Sequence, residues 1–187
     1  MLKRNIVVGS SGIRVGVDMA KYKVGKATQK LYFARICIDA IGTIATASQL
    51  NGKAVITAYQ ESCLFHLVSA YQGLIWEIAH TFDQVYTGDP LGLYVAELDR
   101  KGASIPLLER LLSLESQTDV WLNKMLTTWQ RIVALDPDST SYSKHSPNLN
   151  AIEVRLLSEI DELTQLSDWY NKLTALIDEN RDLLAEW

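Results

Sequence analysis

Residues 53–82 carry two apolar stripes rather than one, and this constrains the fold more than any other feature of the chain. Ile56, Tyr59, Cys63, Leu67, Ala70, Leu74 and Ile78 recur at steps of three and four, and Leu64, Val68, Tyr71, Ile75 and Ala79 repeat the pattern beside them. Recurrence at this period marks an amphipathic α-helix. A surface so wide cannot be covered by one neighbour, so the helix must stand between partners on two sides. The expected architecture is all-α, a helical bundle of about five to six helices around a central one.

The remaining segments supply those partners. From Thr28 onward, Phe33, Ile36, Cys37, Ala40, Ile41, Ile44 and Ala47 draw one stripe on a helix of about five turns, closed by a turn at Asn51-Gly52. A loop over 87–92 precedes a short helix from Leu93 to Arg100, stopped by Lys101-Gly102. Pro106 suits the first turn of the next helix, where its missing N–H costs little, and Leu107, Leu108, Leu111 and Leu112 form its buried face. Ser116 and Asp119 have capping-box spacing for a further helix whose Trp121, Leu122, Met125, Leu126, Trp129, Ile132 and Val133 keep the helical period.

The domain organisation follows from the breaks in these patterns. Residues 1–18 join no stripe and read as a flexible N-terminal extension, 19–136 as the bundle core, and 137–149, rich in Ser, Thr and Pro, as a polar linker. Residues 150–187 read as a C-terminal amphipathic segment, with Leu156, Leu163, Tyr170, Ile177 and Leu184 seven apart and Leu166 and Leu173 between them. Asn150 with Glu153 can cap its start, and Ser167-Asp168 can divide it into a helical hairpin. Such a seam needs cover. It is expected to pack back on the core against the second stripe of the central helix, the alternative being a partner chain.

Composition narrows the function. A length of 187 residues suits one domain with a sizeable core. Residues 1–30 carry seven Lys or Arg against Asp18 alone, a net of +6, whereas the remainder carries −10. An acidic body disfavours duplex binding, which draws its affinity from basic groups. Cys37 and Cys63 both fall inside apolar helical patterns and read as reduced core residues. The opening residues are too short an apolar run for a secretion signal, and charged or polar groups such as Glu61, His66, Glu77 and His80 interrupt even the most hydrophobic segment. A cytoplasmic protein without a membrane span is expected.

The sharpest polar pair is Glu77 and His80, because Glu and His three apart on one helix serve as ligands in di-iron bundles. Such a centre needs a second Glu-x-x-His, and none exists in the chain. His66 shares the face of Glu77, but eleven residues of helix separate them by roughly 16 Å. Glu77 and His80 are therefore weak metal candidates, and the expectation is a buried polar stripe of Tyr59, Ser62, His66, Glu77 and His80, with no metal, no cofactor and no catalytic residue. The tryptophans read as core anchors rather than stacking platforms.

Thr28-Gln-Lys-Leu-Tyr-Phe-Ala-Arg35, Ser62-Cys-Leu-Phe-His66 and Tyr71-Gln-Gly-Leu-Ile-Trp-Glu-Ile78 together resemble an uncharacterised family of short helical proteobacterial proteins, over residues 19–187. The resemblance implies a helical fold and carries no activity or site residues. The expected function is a non-enzymatic scaffold or interaction protein with a protein partner, a homodimer being one form of it. The alternatives are a nucleic-acid-associated bundle using Lys21, Lys23, Lys26 and Lys30, and a metal-binding bundle resting on Glu77 and His80.

Overall fold

A computed structural model describes residues 14–46, 52–134 and 163–186. Six helices occur among them, in the order α1 (Arg14–Thr46), α2 (Gly52–Thr81), α3 (Leu91–Arg100), α4 (Pro106–Ser116), α5 (Trp121–Val133) and α6 (Leu163–Ala185), with no strand. The all-α bundle is what the periodicity requires. Among the described residues, no helix is long and apolar enough to cross a membrane.

The two stripes of α2 are both covered, by different partners. Cys63 of the first stripe donates its thiol to the Ala34 carbonyl of α1 at 3.7 Å, and Glu77 beside that stripe meets Arg181 of α6. Tyr71 of the second stripe faces Glu115 of α4, and Phe65 next to it meets Trp129 of α5. The molecule is thus a three-helix bundle of α1, α2 and α6, with α4 and α5 packed on α2 and also touching α6, and α3 packed on α4. Helix α6 packs on α2 and α1, meeting Glu77 beside the first stripe of α2.

Helix α1 departs from the sequence reading in two ways. It begins at Arg14, so residues 14–18 of the expected extension are helical, and residues 1–13 lie outside the described residues. No proline interrupts 14–27, and burial of Ala27 and Leu31 gives the upstream turns something to propagate from. The buried stripe is Ala27, Leu31, Ala34, Cys37, Ile38 and Ile41, displaced around the helix from the expected one. Alanine decides the displacement. A Cβ placed on Gly73 of α2 would lie 3.0 Å from the Ala27 Cβ and 3.2 Å from its Cα, so the two backbones approach where both side chains are smallest.

The shorter helices are set by local chemistry. Gly102 takes a φ of 72°, and the N–H groups of Gly102 and Ala103 donate to Asp99 and Leu98 carbonyls, a Schellman stop for α3. Pro106 stands at the first turn of α4 as expected. Ser116 does not cap α5: it ends α4, its hydroxyl donates to the Leu112 carbonyl, and α5 starts after an extended Val120 without a side-chain cap. Asn123 of α5 instead donates to the Glu115 carbonyl at 2.5 Å, satisfying one of the acceptors that the end of α4 leaves open.

Helix α6 runs unbroken through Ser167 and Asp168, and Asp168 pairs with Lys172 one turn on at 2.8 Å, so no hairpin divides it there. Its buried seam is Leu166, Trp169, Leu173, Leu176, Ile177 and Asn180, again rotated from the heptad positions expected, with Leu163 at the surface. Residues 135–162, which include the expected linker and the Asn150-Glu153 cap, lie outside the described residues.

Candidate functional site

Two groups of side chains stand apart from ordinary core packing, and the first contains the residue singled out for metal binding. Glu77 is 4% exposed, and both its carboxylate oxygens accept from Arg181, Oε2 from Nε at 2.8 Å and Oε1 from Nη2 at 2.9 Å. Arg181 Nη1 also donates to the Thr28 hydroxyl at 3.2 Å, so one guanidinium ties α6 to α2 and α1. The pairing with Glu77 holds the Arg181 pKa above its ordinary value, against the opposing effect of burial. The planar fork of arginine matches a carboxylate in this bidentate way. Chemically the arrangement is a clamp.

The expected polar stripe is not assembled. His80 is exposed and stacks on Trp76 with ring centroids 4.7 Å apart, Ser62 is exposed and donates to its own helix at Ala58, and Tyr59 and His66 are half-buried. Only Glu77 of the five is buried, because the four others fall on the flanks of α2 that its partners leave partly open. Among the described residues, no group of three His, Cys, Asp or Glu side chains is placed to hold a metal ion.

The second group is an aromatic face that crosses three helices. Tyr32 and Phe33 of α1 lie 6.2 Å apart between ring centroids, Phe33 meets His66 of α2 at 5.3 Å, His66 meets Phe65 at 5.3 Å, and Phe65 meets Trp129 of α5 at 5.8 Å. Tyr32 is 63% exposed, Ile36 one turn on is 46% exposed, and Phe65 is 43% exposed. Lys30 extends over the same face, its Nζ 5.1 Å from the Phe65 ring centre and 6.0 Å from that of Phe33. Burial and the neighbouring Lys30 lower the His66 pKa, and its buried Nδ1 finds no hydrogen-bond partner.

Helical geometry explains why these residues meet. Of the stripe read from the sequence of α1, Cys37 and Ile41 are buried, whereas Phe33, Ile36, Ala40 and Ile44 lie beside the buried face. Phe65 belongs to neither stripe of α2. A large ring outside both stripes was the available sign of a surface position, and the sequence reading passed over it.

A buried polar cluster lies on the opposite side of α2. Tyr86 donates to the Asp89 carbonyl at 2.8 Å and packs on Tyr94, while Tyr71 faces the Glu115 carboxyl without closing a hydrogen bond. Burial raises the Glu115 pKa, and pushes that of Tyr86 up to about 12.

The fold and its exposed face define a helical bundle built around a double-striped helix, with an aromatic surface among the described residues. The chain belongs to a family of unknown function (DUF6586), whose pattern matches residues 19–187. No curated protein and no solved structure matches it.

Proposed function

We propose that this chain is a non-enzymatic interaction protein that engages a macromolecular partner through the face formed by Tyr32, Ile36, Phe65 and Trp129. The observation that carries the reading is the exposure of Tyr32, Ile36 and Phe65 on a continuous aromatic ladder. Aromatic side chains supply much of the binding energy at protein interfaces, since they bury a large area while fixing few torsions. Commitment of both Glu77 oxygens to Arg181 removes the main ligand from a metal-binding reading. The unpaired, buried Cys37 and Cys63 support a reducing compartment, the cytoplasm.

One observation favours a nucleic-acid partner, namely Lys30 over two phenylalanine rings, a combination that single strands exploit. The ring planes along the ladder are tilted by 47–59° rather than parallel, and Glu61 precedes Phe65 by one turn on α2. Both features suit a protein surface better than a stack of bases.

In-cell photocrosslinking tests the proposal. A photoreactive phenylalanine replacing Tyr32 should form a defined protein adduct, and the same group replacing Val85, which is 81% exposed elsewhere, should not. Adducts of equal yield at both positions, or none at Tyr32, would contradict it. An adduct to nucleic acid would establish the second reading.

A further inference from the structure

The register of α1 on α2 gives the aromatic face a direction. Gly73 lies against Ala27 and Cys63 against Ala34, so the two helices run antiparallel. Along α2, Lys30 therefore stands on the C-terminal side of Phe65, consistent with its effect on His66, and Glu61 stands one turn on the N-terminal side. Lys26, one turn before Lys30 and exposed, extends the basic end. The face is basic at Lys30, apolar at Phe33, Ile36 and Phe65, and acidic at Glu61, with Arg35 beside Ile36 neutralised by Asp39 at 3.1 Å, over a length of about 10 Å given by the helical rise.

We infer that the occupant of this face is a second copy of the same chain, joined about a two-fold axis through the apolar middle. The inference rests on the reading of this face as a binding surface and names what binds there. In a two-fold pair each patch contacts itself, so a charge pattern that reverses from end to end is self-complementary when the copies lie antiparallel. Lys30 of one copy then meets Glu61 of the other, and the pair occurs twice. A uniformly acidic helix would meet Glu61 with like charge, and so would a polyanion. A second copy satisfies both ends, and also covers Ile36 and Phe65, which the chain's own described helices leave exposed.

Sedimentation over a range of concentrations, on the full chain, tests the inference. The wild type is expected to dimerise. Lys30→Glu and Glu61→Lys should each weaken the dimer at least about tenfold, by setting like charges opposite one another. Combining them should restore the dissociation constant to within about threefold of wild type, since the swapped pair is complementary again. Ile36→Ser with Phe65→Ser should give a folded monomer, its folding checked by circular dichroism. A wild-type monomer at every concentration overturns the inference, as does a dimer indifferent to Ile36→Ser with Phe65→Ser, or a double charge swap that fails to rescue. A monomer whose Tyr32 position still crosslinks to a different protein or to nucleic acid overturns the second copy alone and leaves the face as the binding surface.

Discussion

Arg181 closes a two-point hydrogen-bonded pair on the buried Glu77 across α6 and α2, 104 residues apart in sequence. Replacing Arg181 by Ala strands a carboxylate that is 4% exposed. The expected loss is about 3 kcal/mol, the lower end for a broken buried pair, because Arg181 itself keeps some access to water. In a chain of this size that lowers the unfolding midpoint by about 10 °C. Glu77→Leu with Arg181→Leu should recover most of the loss, since an apolar pair of similar volume leaves no unpaired charge. Equal destabilisation by the single and double changes would show that the pair is not the source.

Gly73 and Gly25 are expected to respond to alanine with opposite signs. A Cβ at Gly73 would press on the Cβ and backbone of Ala27, which cannot rotate away, whereas one at Gly25 meets nothing within 4 Å. Gly25→Ala should stabilise by about 0.5–1 kcal/mol through helix propensity. Gly73→Ala gains the same propensity but overpacks the α1–α2 contact, for a net loss of about 1 kcal/mol. Thermal unfolding of the two variants decides, and stabilisation by both would mean that α1 and α2 are less closely packed than described.

The same contact shows what could be read from sequence. The double stripe of α2 was legible because Leu, Ile and Tyr at helical spacing admit few alternatives, and every position of its second stripe is buried. The buried face of α1 was not, because Ala27 and Ala34 carry little hydrophobic signal and owe their burial to the close approach of a particular glycine 46 residues from Ala27. Glu77 was legible as an unusual polar residue, but Arg181 as its partner was not, since pairing across helices is fixed by packing rather than by local spacing. The aromatic face was illegible for the same reason: Phe33, Phe65 and Trp129 come from three helices and meet only in the fold.

Glu115 should make stability fall as pH rises. Burial raises its pKa in the folded protein, with Tyr71 acting in the opposite sense as a weaker influence. Below the ordinary carboxylate range the group is protonated in both states and contributes no penalty. Between that range and the raised folded value, the folded state binds more protons than the unfolded one, so stability decreases with increasing pH. Glu115→Gln should remove this decline, matching wild type in acid and exceeding it near neutrality. Superimposable pH profiles for the two proteins would count against it.

Cys63 should be chemically silent in the folded state. It is fully buried, and burial together with the neighbouring Cys37 pushes its thiol pKa up to about 12, far from the thiolate that reacts. In a Cys37→Ser background, labelling by a thiol reagent should proceed only at the rate of global unfolding. Prompt labelling under native conditions would show that the α1–α2 contact opens locally.

On the proposed reading, the exposed aromatic face binds a partner and is not what holds the fold together. This is tested most directly by replacing Ile36 and Phe65 with Ser and measuring, on the same preparation, the unfolding midpoint as monomer and the yield of the Tyr32 crosslink. Ile36 and Phe65 are 46% and 43% exposed, and losing their half-buried packing should cost about 1 kcal/mol each. The expected result is a monomer midpoint no more than about 8 °C below wild type, with loss of the adduct. A collapse in midpoint, or an adduct that persists at wild-type yield, would contradict it.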